Sequence, residues 1–209
     1  MLRDAAVSII KGRLARWNDT VLTDYVITEL QAAQQRAEFK ATLPWFLLTE
    51  SSYTTTTSEE ERIEIPADFL REAEEDALWL EDAEGTWAEM RKDDYSTLRA
   101  RYPESGKPRG YALVGNYFRL FPVPDSAGYT AHMIYYAKDA VLTANVENNW
   151  LAHAPEVLIS DAGHIIASRY VRNDAAAAEF KADYMRAYDE LRIANQARRD
   201  ANRVYGSEN

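Results

Sequence analysis

The residues of this chain best suited to chemistry are adjacent carboxylates and three histidines. Glu74-Glu75-Asp76 is compatible with a glycosidase, because two carboxylates can divide the roles of acid and nucleophile. Adjacent carboxylates in a solvated acidic segment need no such role, and we favour that structural interpretation. His132, His153 and His164 are too scattered for a metal-ligand spacing, so we expect each to be a structural or surface histidine.

Other catalytic and cofactor signatures are missing from the sequence. The chain has no cysteine, which excludes disulfides, thiolate zinc sites and cysteine nucleophiles. It contains no glycine-rich phosphate loop, no Gly-x-Ser-x-Gly elbow and no His-Glu-x-x-His helix. We therefore expect no enzyme activity, no cofactor and no metal site.

The start of the chain and its hydropathy predict a soluble protein that is made where it works. Asp4, Lys11 and Arg13 bring charges where a signal peptide needs an apolar core. No apolar run approaches the roughly 18 residues of a membrane span. The 209 residues suffice for one sizeable domain, or for a domain with a large insertion.

The net charge of −10 is concentrated in one segment. Between Ser58 and Glu84 there are twelve acidic residues and two arginines, while the other 182 residues are neutral overall. Such a patch repels a phosphate backbone, and its simplest interpretation is a solvated face. The alternative is an acidic channel wall or a docking surface for a basic partner. A basic face for nucleic-acid binding is absent.

Two amphipathic helices are predicted at the start of the chain. Asn18-Asp19-Thr20 supplies the turn and the N-cap between them, and Pro44 is the latest point at which the second helix can end. The apolar residues that recur at helical spacing are Val7, Ile10, Leu14 and Trp17 in the first helix, and Leu22, Val26, Leu30, Ala33 and Ala37 in the second.

Short apolar and β-branched runs predict strands in the middle of the chain. Gly115-Asn116 is a two-residue loop able to take the positive φ angles of a tight hairpin turn. The predicted elements are a hairpin within 45–65, a helical turn over 67–72, strands over 77–80 and 87–90, a helix over 95–102, a hairpin over 111–121 and its third strand over 129–136.

The last sixty residues return to helical spacing. Pro155 suits the first turn of a helix, and Asn173-Asp174 re-caps the chain before a long helix over 175–203. We therefore predict an α+β protein, in which an α-helical bundle of N- and C-terminal helices carries an inserted antiparallel β-rich region. The predicted divisions are helices over 1–43 and 141–203, the β-rich insertion over 44–140, and a C-terminal arm over 204–209.

Large aromatic residues are concentrated in the middle of the chain. We expect most of them to lie in the core, and any ring left on the surface to mark a contact with a neighbouring subunit. They are Trp45, Phe46, Trp79, Trp87, Tyr117, Phe118, Phe121, Tyr135 and Tyr136.

The arginines near the C-terminus have two interpretations. Arg198, Arg199 and Arg203 complement the dipole at the end of a helix. Alternatively they are, together with Tyr205, the anchors of an arm that docks on a partner.

Several phrases of the sequence resemble the head-to-tail adaptor proteins of short-tailed bacteriophages. The longest phrase is GKPRGYALVGNYFRLFPVPD at 106–125, and the others are PWFL at 44–47, IPADFL at 65–70, Tyr135-Tyr136 and Asn149-Trp150-Leu151. The resemblance covers nearly the whole chain. It implies a structural virion protein at the head–tail junction, assembled in the host cytoplasm.

The resemblance also implies partners. Similar adaptors form a homo-oligomeric ring, commonly of twelve copies, that binds the phage portal protein above and the tail nozzle or other tail proteins below. The arm around Arg198 to Asn209 is then expected to run onto the portal, and the Gly115-Asn116 tip to face other subunits or the tail. Genomic DNA would pass through the lumen without sequence-specific binding, repelled by on the order of −120 charges in such a ring. No membrane is involved.

Two other functions stay open from the residues alone. One is a cell-wall glycan hydrolase of the virion that uses acidic residues between 72 and 84. The other is a soluble interaction module, which would be a stable monomer.

Overall fold

The computed structural model describes residues 1–54, 61–73, 77–143, 145 and 147–206, with side chains as far as Arg198. The chain divides into two compact units. The helical unit comprises Met1–Leu47 and Asp139–Asn209, and the sheet unit is Leu48–Lys138. The predicted α+β class is confirmed, whereas the description of the helices as a bundle stays a prediction.

Six helices and eight strands lie within the described residues. The helices are α1 (Arg3–Arg13), α2 (Thr20–Glu38), α3 (Tyr95–Arg101), α4 (Asn149–His153), α5 (Pro155–Ile165) and α6 (Asp174–Gly206). The strands are β1 (Leu48–Thr54), β2 (Arg62–Glu64), β3 (Phe69–Glu72), β4 (Leu78–Glu81), β5 (Trp87–Lys92), β6 (Gly110–Val114), β7 (Tyr117–Phe121) and β8 (Thr130–Ala137). A 3₁₀ turn covers Trp45–Leu47, and a π-helical segment, Ile166–Val171, continues α5.

The first two helices form where the apolar spacing predicts them. Asp19 Oδ1 accepts a hydrogen bond from the Leu22 N–H at 2.9 Å and so caps α2, and all five predicted core residues of α2 are buried. Trp17 departs from the predicted buried stripe, since it is 65% exposed. Its indole covers Gly12, where an added Cβ would lie 2.3 Å from the ring, so the ring packs on the outside of the glycine.

The central helix of the helical unit is α5, which packs against α1, α2, α4 and α6. Pro155 begins it in the first turn, as predicted. Gly163 permits the close approach of α6, because a Cβ at this position would lie 2.4 Å from Cε1 of Phe180.

Arg172 and Asn173 connect the π-helical segment to α6, and a local hydrogen bond caps the start of α6. Arg172 ends the π-helical segment in the left-handed region, with φ 55° and ψ 46°. Asn173 Oδ1 then accepts a hydrogen bond from the Ala176 N–H at 3.1 Å, which satisfies one of the unpaired N–H groups of the first turn. The predicted break and re-capping at 173–174 is confirmed.

The sheet follows the strand order β1-β8-β4-β5-β6-β7-β2, with β3 also paired to β8. The pairs are antiparallel except β5 and β6, which are parallel. Parallel neighbours need a crossover connection, and the segment 93–109 with α3 provides it. The prediction of a purely antiparallel insertion is therefore wrong at this pair.

Several predicted strand pairings in the sheet unit are also wrong. β1 and β2 form no hairpin, since β1 pairs with β8 and β2 with β7. Residues 69–72 form β3 against β8 in place of a helical turn, because strand pairing outweighs a helical spacing of apolar residues. β8 lies between β1 on one side and β3 with β4 on the other, so it is not the third strand of the hairpin over 111–121.

One face of the sheet encloses a hydrophobic core. Tyr53 of β1 and Ile63 of β2 come from the two ends of the strand order and both contact this core, so the sheet curls around it. The buried residues of the core are Ile63, Leu78, Leu80, Met90, Tyr111, Phe118, Leu120, Ala131, Met133 and Tyr135.

Candidate partner interfaces

The hairpin tip predicted from Gly115-Asn116 is confirmed as a turn between β6 and β7. Val114 pairs with Tyr117 across it. Gly115 alone of the pair has a positive φ, +61°, which places glycine at the first central position of the turn. No heavy atom lies within 4 Å of the position that a Cβ on Gly115 would take, so the tip is sterically open. Its role as an interface stays a prediction.

The arginines predicted for the arm stand at the end of α6. The backbone is helical as far as Gly206, so Arg199, Arg203 and Tyr205 lie on the last turns of this helix. Their side chains, and residues 207–209, lie outside the described part of the chain. Arg198 is described, and its guanidinium carbon lies 3.6 Å from the centroid of the Trp45 ring.

Asn195 fixes the same end of α6 to the segment before β1. Its Oδ1 accepts a hydrogen bond from the Trp45 N–H at 3.2 Å, and its Nδ2 donates to the Leu43 carbonyl at 3.4 Å. The Asn195 side chain is buried, so both hydrogen bonds are shielded from water, which raises the cost of breaking them.

Aromatic rings surround this anchor in the helical unit. The Trp45 ring lies 5.8 Å from the Phe46 ring and 5.0 Å from the His153 ring, measured between centroids. Phe46 also meets the Trp150 ring edge to face, at 5.2 Å. Trp45, Phe46 and Trp150 are visible in the sequence, but the contact of Trp45 with Arg198 was not predicted, because no local spacing joins two residues 153 positions apart.

Part of the acidic segment between 58 and 84 is paired with basic side chains of the sheet unit. Glu59, Glu60 and Glu74–Asp76 lie outside the described residues. The interpretation of a solvated face is wrong for three other members, because each carboxylate contacts a basic side chain from elsewhere in the unit. These ion pairs are Glu61 with Arg119, Glu72 with Lys92, and Asp82 with Lys107.

Two carboxyl groups have shifted pKa values with opposite causes. The hydrogen bond from Lys107, followed by that from the Thr86 N–H, lowers the pKa of Asp82. Burial raises the pKa of Glu38, against the hydrogen bonds that it accepts from Gln34 and from the Asp139 N–H. The nearby Asp139 carboxylate also raises the pKa of Glu38.

The three histidines occupy unrelated environments. His132 Nε2 lies 2.9 Å from Glu81 Oε2 on the sheet, His153 stacks on Phe46, and His164 Nδ1 lies 3.0 Å from the Ala177 carbonyl oxygen. Among the described residues no group of three His, Asp or Glu side chains could hold a metal ion. The structure does not bring the histidines together.

Two surface depressions of the helical unit lack a pair of facing carboxylates. The one beside α1 and α2 has Asp4 as its acidic lining residue, together with Arg3 and Lys11. The one beside Phe39 is lined by no acidic residue. The glycan hydrolase hypothesis names acidic residues between 72 and 84, of which Glu74-Glu75-Asp76 lie outside the described residues.

Comparison with known proteins gives one family. The family model described as SU10 adaptor protein matches residues 3–207 of the chain. No curated protein matches it. Within the described residues, no helix is both long and apolar enough to span a membrane.

Proposed function

The chain belongs to the SU10 adaptor family, and we propose that it is the virion subunit that joins the portal of a phage head to the tail. The family is one of structural phage adaptors, so the role is binding without chemical turnover. The observation that carries the proposal is the family match over residues 3–207, which spans both units of the chain.

The proposed assembly is a homo-oligomeric ring, with twelve as the proposed number of copies. A closed ring requires a heterologous interface, in which one patch of each subunit meets a different patch of the next. An uneven charge distribution supports two such patches. The sheet unit has 18 acidic and 10 basic residues, whereas the helical unit has 16 acidic and 14 basic residues.

The ring is proposed to complete the DNA ejection channel. Twelve subunits with a net charge of −10 each would carry on the order of −120 charges, which repel phosphates. DNA would then pass through the lumen without sequence-specific binding.

The end of α6 is the proposed contact with the portal. Arg199 and Arg203 are suited to bidentate pairing with carboxylates of a partner, and Tyr205 adds an apolar anchor of the type that dominates interfaces. Arg198 stacks on Trp45 of its own chain, so we propose that it holds the base of the arm.

The turn at Gly115-Asn116 is the proposed contact with other subunits or with the tail nozzle. Its support is the open space around Gly115. The Asn116 carbonyl accepts a hydrogen bond from the Ile65 N–H at 3.1 Å, which anchors the turn to the segment after β2 and leaves the Asn116 side chain for a partner.

Electron microscopy of the purified protein mixed with the portal protein of the same phage tests the proposal. We expect a closed ring of this protein on the portal. Persistent failure to bind the portal under conditions where the portal itself assembles would overturn the proposed function.

Matched variants test the two contact regions separately. The double variant Arg199→Gln/Arg203→Gln is expected to lose about tenfold or more in portal affinity. Its control is Arg186→Gln/Arg192→Gln, which removes the same charge from the same helix and is expected to bind normally. Asn116→Lys is expected to keep portal binding and to lose attachment of the tail. Equal binding by both double variants would contradict the proposed arm contact.

A further inference from the structure

The solvent face of the sheet carries an exposed aromatic ring among carboxylates. Side chains alternate between the two faces of a strand. In β1, β8, β4 and β5, every second side chain therefore lies on the face of the sheet that points away from the hydrophobic core. This outer face consists of Leu48, Glu50, Ser52 and Thr54 of β1, Thr130, His132, Ile134 and Tyr136 of β8, Trp79 and Glu81 of β4, and Trp87, Glu89 and Arg91 of β5.

Trp87 is held on this face by His132. The two rings stack with centroids 4.2 Å apart and an angle of 27° between their planes, yet Trp87 remains 53% exposed. His132 is itself fixed by two carboxylates, with Nε2 2.9 Å from Glu81 Oε2 and Nδ1 3.5 Å from Glu50 Oε1. One side of the indole is therefore covered, and the ring is oriented before any partner arrives.

The charge of the outer face is negative around Trp87. Glu81 lies directly opposite Trp87 in the β4–β5 register, and Glu50 reaches the same histidine. The nearest basic positions on this face are at its ends: Arg91 lies four residues from Trp87 along β5, about 13 Å away, and the Arg71 guanidinium lies 5.7 Å from the ring of Tyr136.

An occupied site of the same composition exists elsewhere in the chain. The Arg13 guanidinium lies 3.9 Å from the centroid of the Phe180 ring. It also lies 2.6 Å from Asp183 Oδ2 and 3.3 Å from Glu179 Oε1. One aromatic face and two carboxylates thus satisfy one arginine, because the ring quadrupole and the anions attract the same planar cation.

We propose that Trp87, Glu81 and Glu50 form a docking site for an arginine side chain of a partner protein. The guanidinium would stack on the exposed side of Trp87, as Arg13 does on Phe180, and it would be attracted by the negative charges of Glu81 and Glu50 beside His132. Tryptophan provides the best face for such a cation, and the charge of the outer face is complementary to it. This site lies outside the proposed portal contact, and its test does not depend on the proposed function.

The test uses the isolated full-length protein labelled with 5-fluorotryptophan. The ¹⁹F resonance of Trp87 is assigned by its loss in the variant Trp87→Leu, whose other tryptophan signals report that the fold is intact. The protein is titrated at pH 8 with N-acetyl-arginine amide, and separately with N-acetyl-citrulline amide, which has nearly the same shape without the charge. We expect the Trp87 signal alone to shift, with half-saturation in the millimolar range, for the arginine probe only.

Variants that each remove one carboxylate charge test which carboxylates contribute to arginine binding. Glu81→Gln and Glu50→Gln are each expected to weaken arginine binding severalfold. The control Glu104→Gln removes the same charge from an exposed position after α3 and is expected to leave binding unchanged. An equal response to citrulline, an equal loss in the Glu104→Gln control, or no shift of Trp87 at the solubility limit of the probe would overturn the proposal.

Discussion

The guanidinium carbon of Arg198 lies 3.6 Å from the centroid of the Trp45 ring, where the end of α6 meets the segment that precedes β1. Asn195, one turn earlier, bonds to the backbone of the same segment on both sides of Pro44. α6 is therefore attached to the helical unit as far as Arg198, well beyond Phe180, the last buried hydrophobic residue described in α6.

Removing the Arg198 contact is expected to loosen the end of α6. A cation–π contact at an exposed position contributes about 0.5–1 kcal/mol, so Arg198→Gln should increase the open population of the last turns about two- to fivefold. Limited trypsin digestion followed by mass spectrometry measures this as faster cleavage after Arg192. The control Arg186→Gln loses an arginine that pairs with Asp183 on its own helix. An unchanged rate after Arg192 in the Arg198 variant would show that the stacking does not hold the helix.

A methyl group at Gly163 is expected to destabilise the protein. The added Cβ would lie 2.4 Å from Phe180 Cε1, and overpacking of this kind costs about 1–3 kcal/mol. Thermal unfolding of Gly163→Ala should move to lower temperature by about 2–4 °C per kcal/mol. Gly106→Ala is the matched control, since its Cβ would meet Pro122 at an ordinary 3.7 Å.

A second substitution tests the cause of that loss. If the clash with the Phe180 ring is responsible, Phe180→Leu should cost less in the Gly163→Ala background than in the wild type. Additive losses of stability would attribute the effect of Gly163→Ala to something other than this contact.

The local pattern of the sequence predicted the helices well and the sheet only in part. α2 and the start of α6 follow from apolar spacing together with capping residues, Asp19 and Asn173, whose action extends over three residues. The pairing of β8 with β1, β3 and β4 joins residues 49 to 88 positions apart, and the strand pattern is the same whichever partner a strand takes. The parallel pair β5 and β6 was missed because the strand pattern does not specify the partner, although the helix over 95–102 that lies between the two strands was predicted.

In the candidate sites, too, features that depend on neighbouring residues were predictable, whereas contacts between distant segments were not. The turn at Gly115-Asn116 was predictable because its positive φ angle is needed at a single position, and glycine adopts such an angle readily. The Arg198–Trp45 contact and the stacking of Trp87 on His132 join distant segments, and residue type alone did not reveal them. The expectation that a ring left on the surface marks a contact led to Trp87, but only the structure shows which side of the indole is exposed.

Loss of the α2 cap is expected to lower stability by about 1 kcal/mol. In Asp19→Ala the Leu22 N–H loses the acceptor that it has at 2.9 Å. Asp19→Asn keeps an acceptor oxygen and should stay close to the wild type. Urea denaturation measures the difference, with Asp24→Ala as control, because Asp24 is an exposed acidic residue of the same helix without a capping role. Equal destabilisation by Asp19→Ala and Asp24→Ala would contradict the capping role.

Glu38 is expected to make stability depend on pH with a defined sign. Burial raises the pKa of its carboxyl group in the folded protein above the usual 4.5, so folding favours the protonated form. Its stabilising effect is present below the unfolded pKa and is lost as pH rises through the folded pKa. At neutral pH the protein therefore holds a partly buried charge at a cost.

Glu38→Gln removes this charge and keeps an oxygen that can accept from Gln34 and from the Asp139 N–H, as Glu38 Oε1 does at 2.9 and 3.2 Å. Calorimetry is expected to show the variant more stable than the wild type at pH 7–8, with the gap closing as pH falls toward 4. Glu190→Gln, at an exposed position on α6, corrects for the general effect of one fewer negative charge. A variant that is less stable at neutral pH, or a gap that widens in acid, would mean that the hydrogen bonds to the carboxylate outweigh its desolvation.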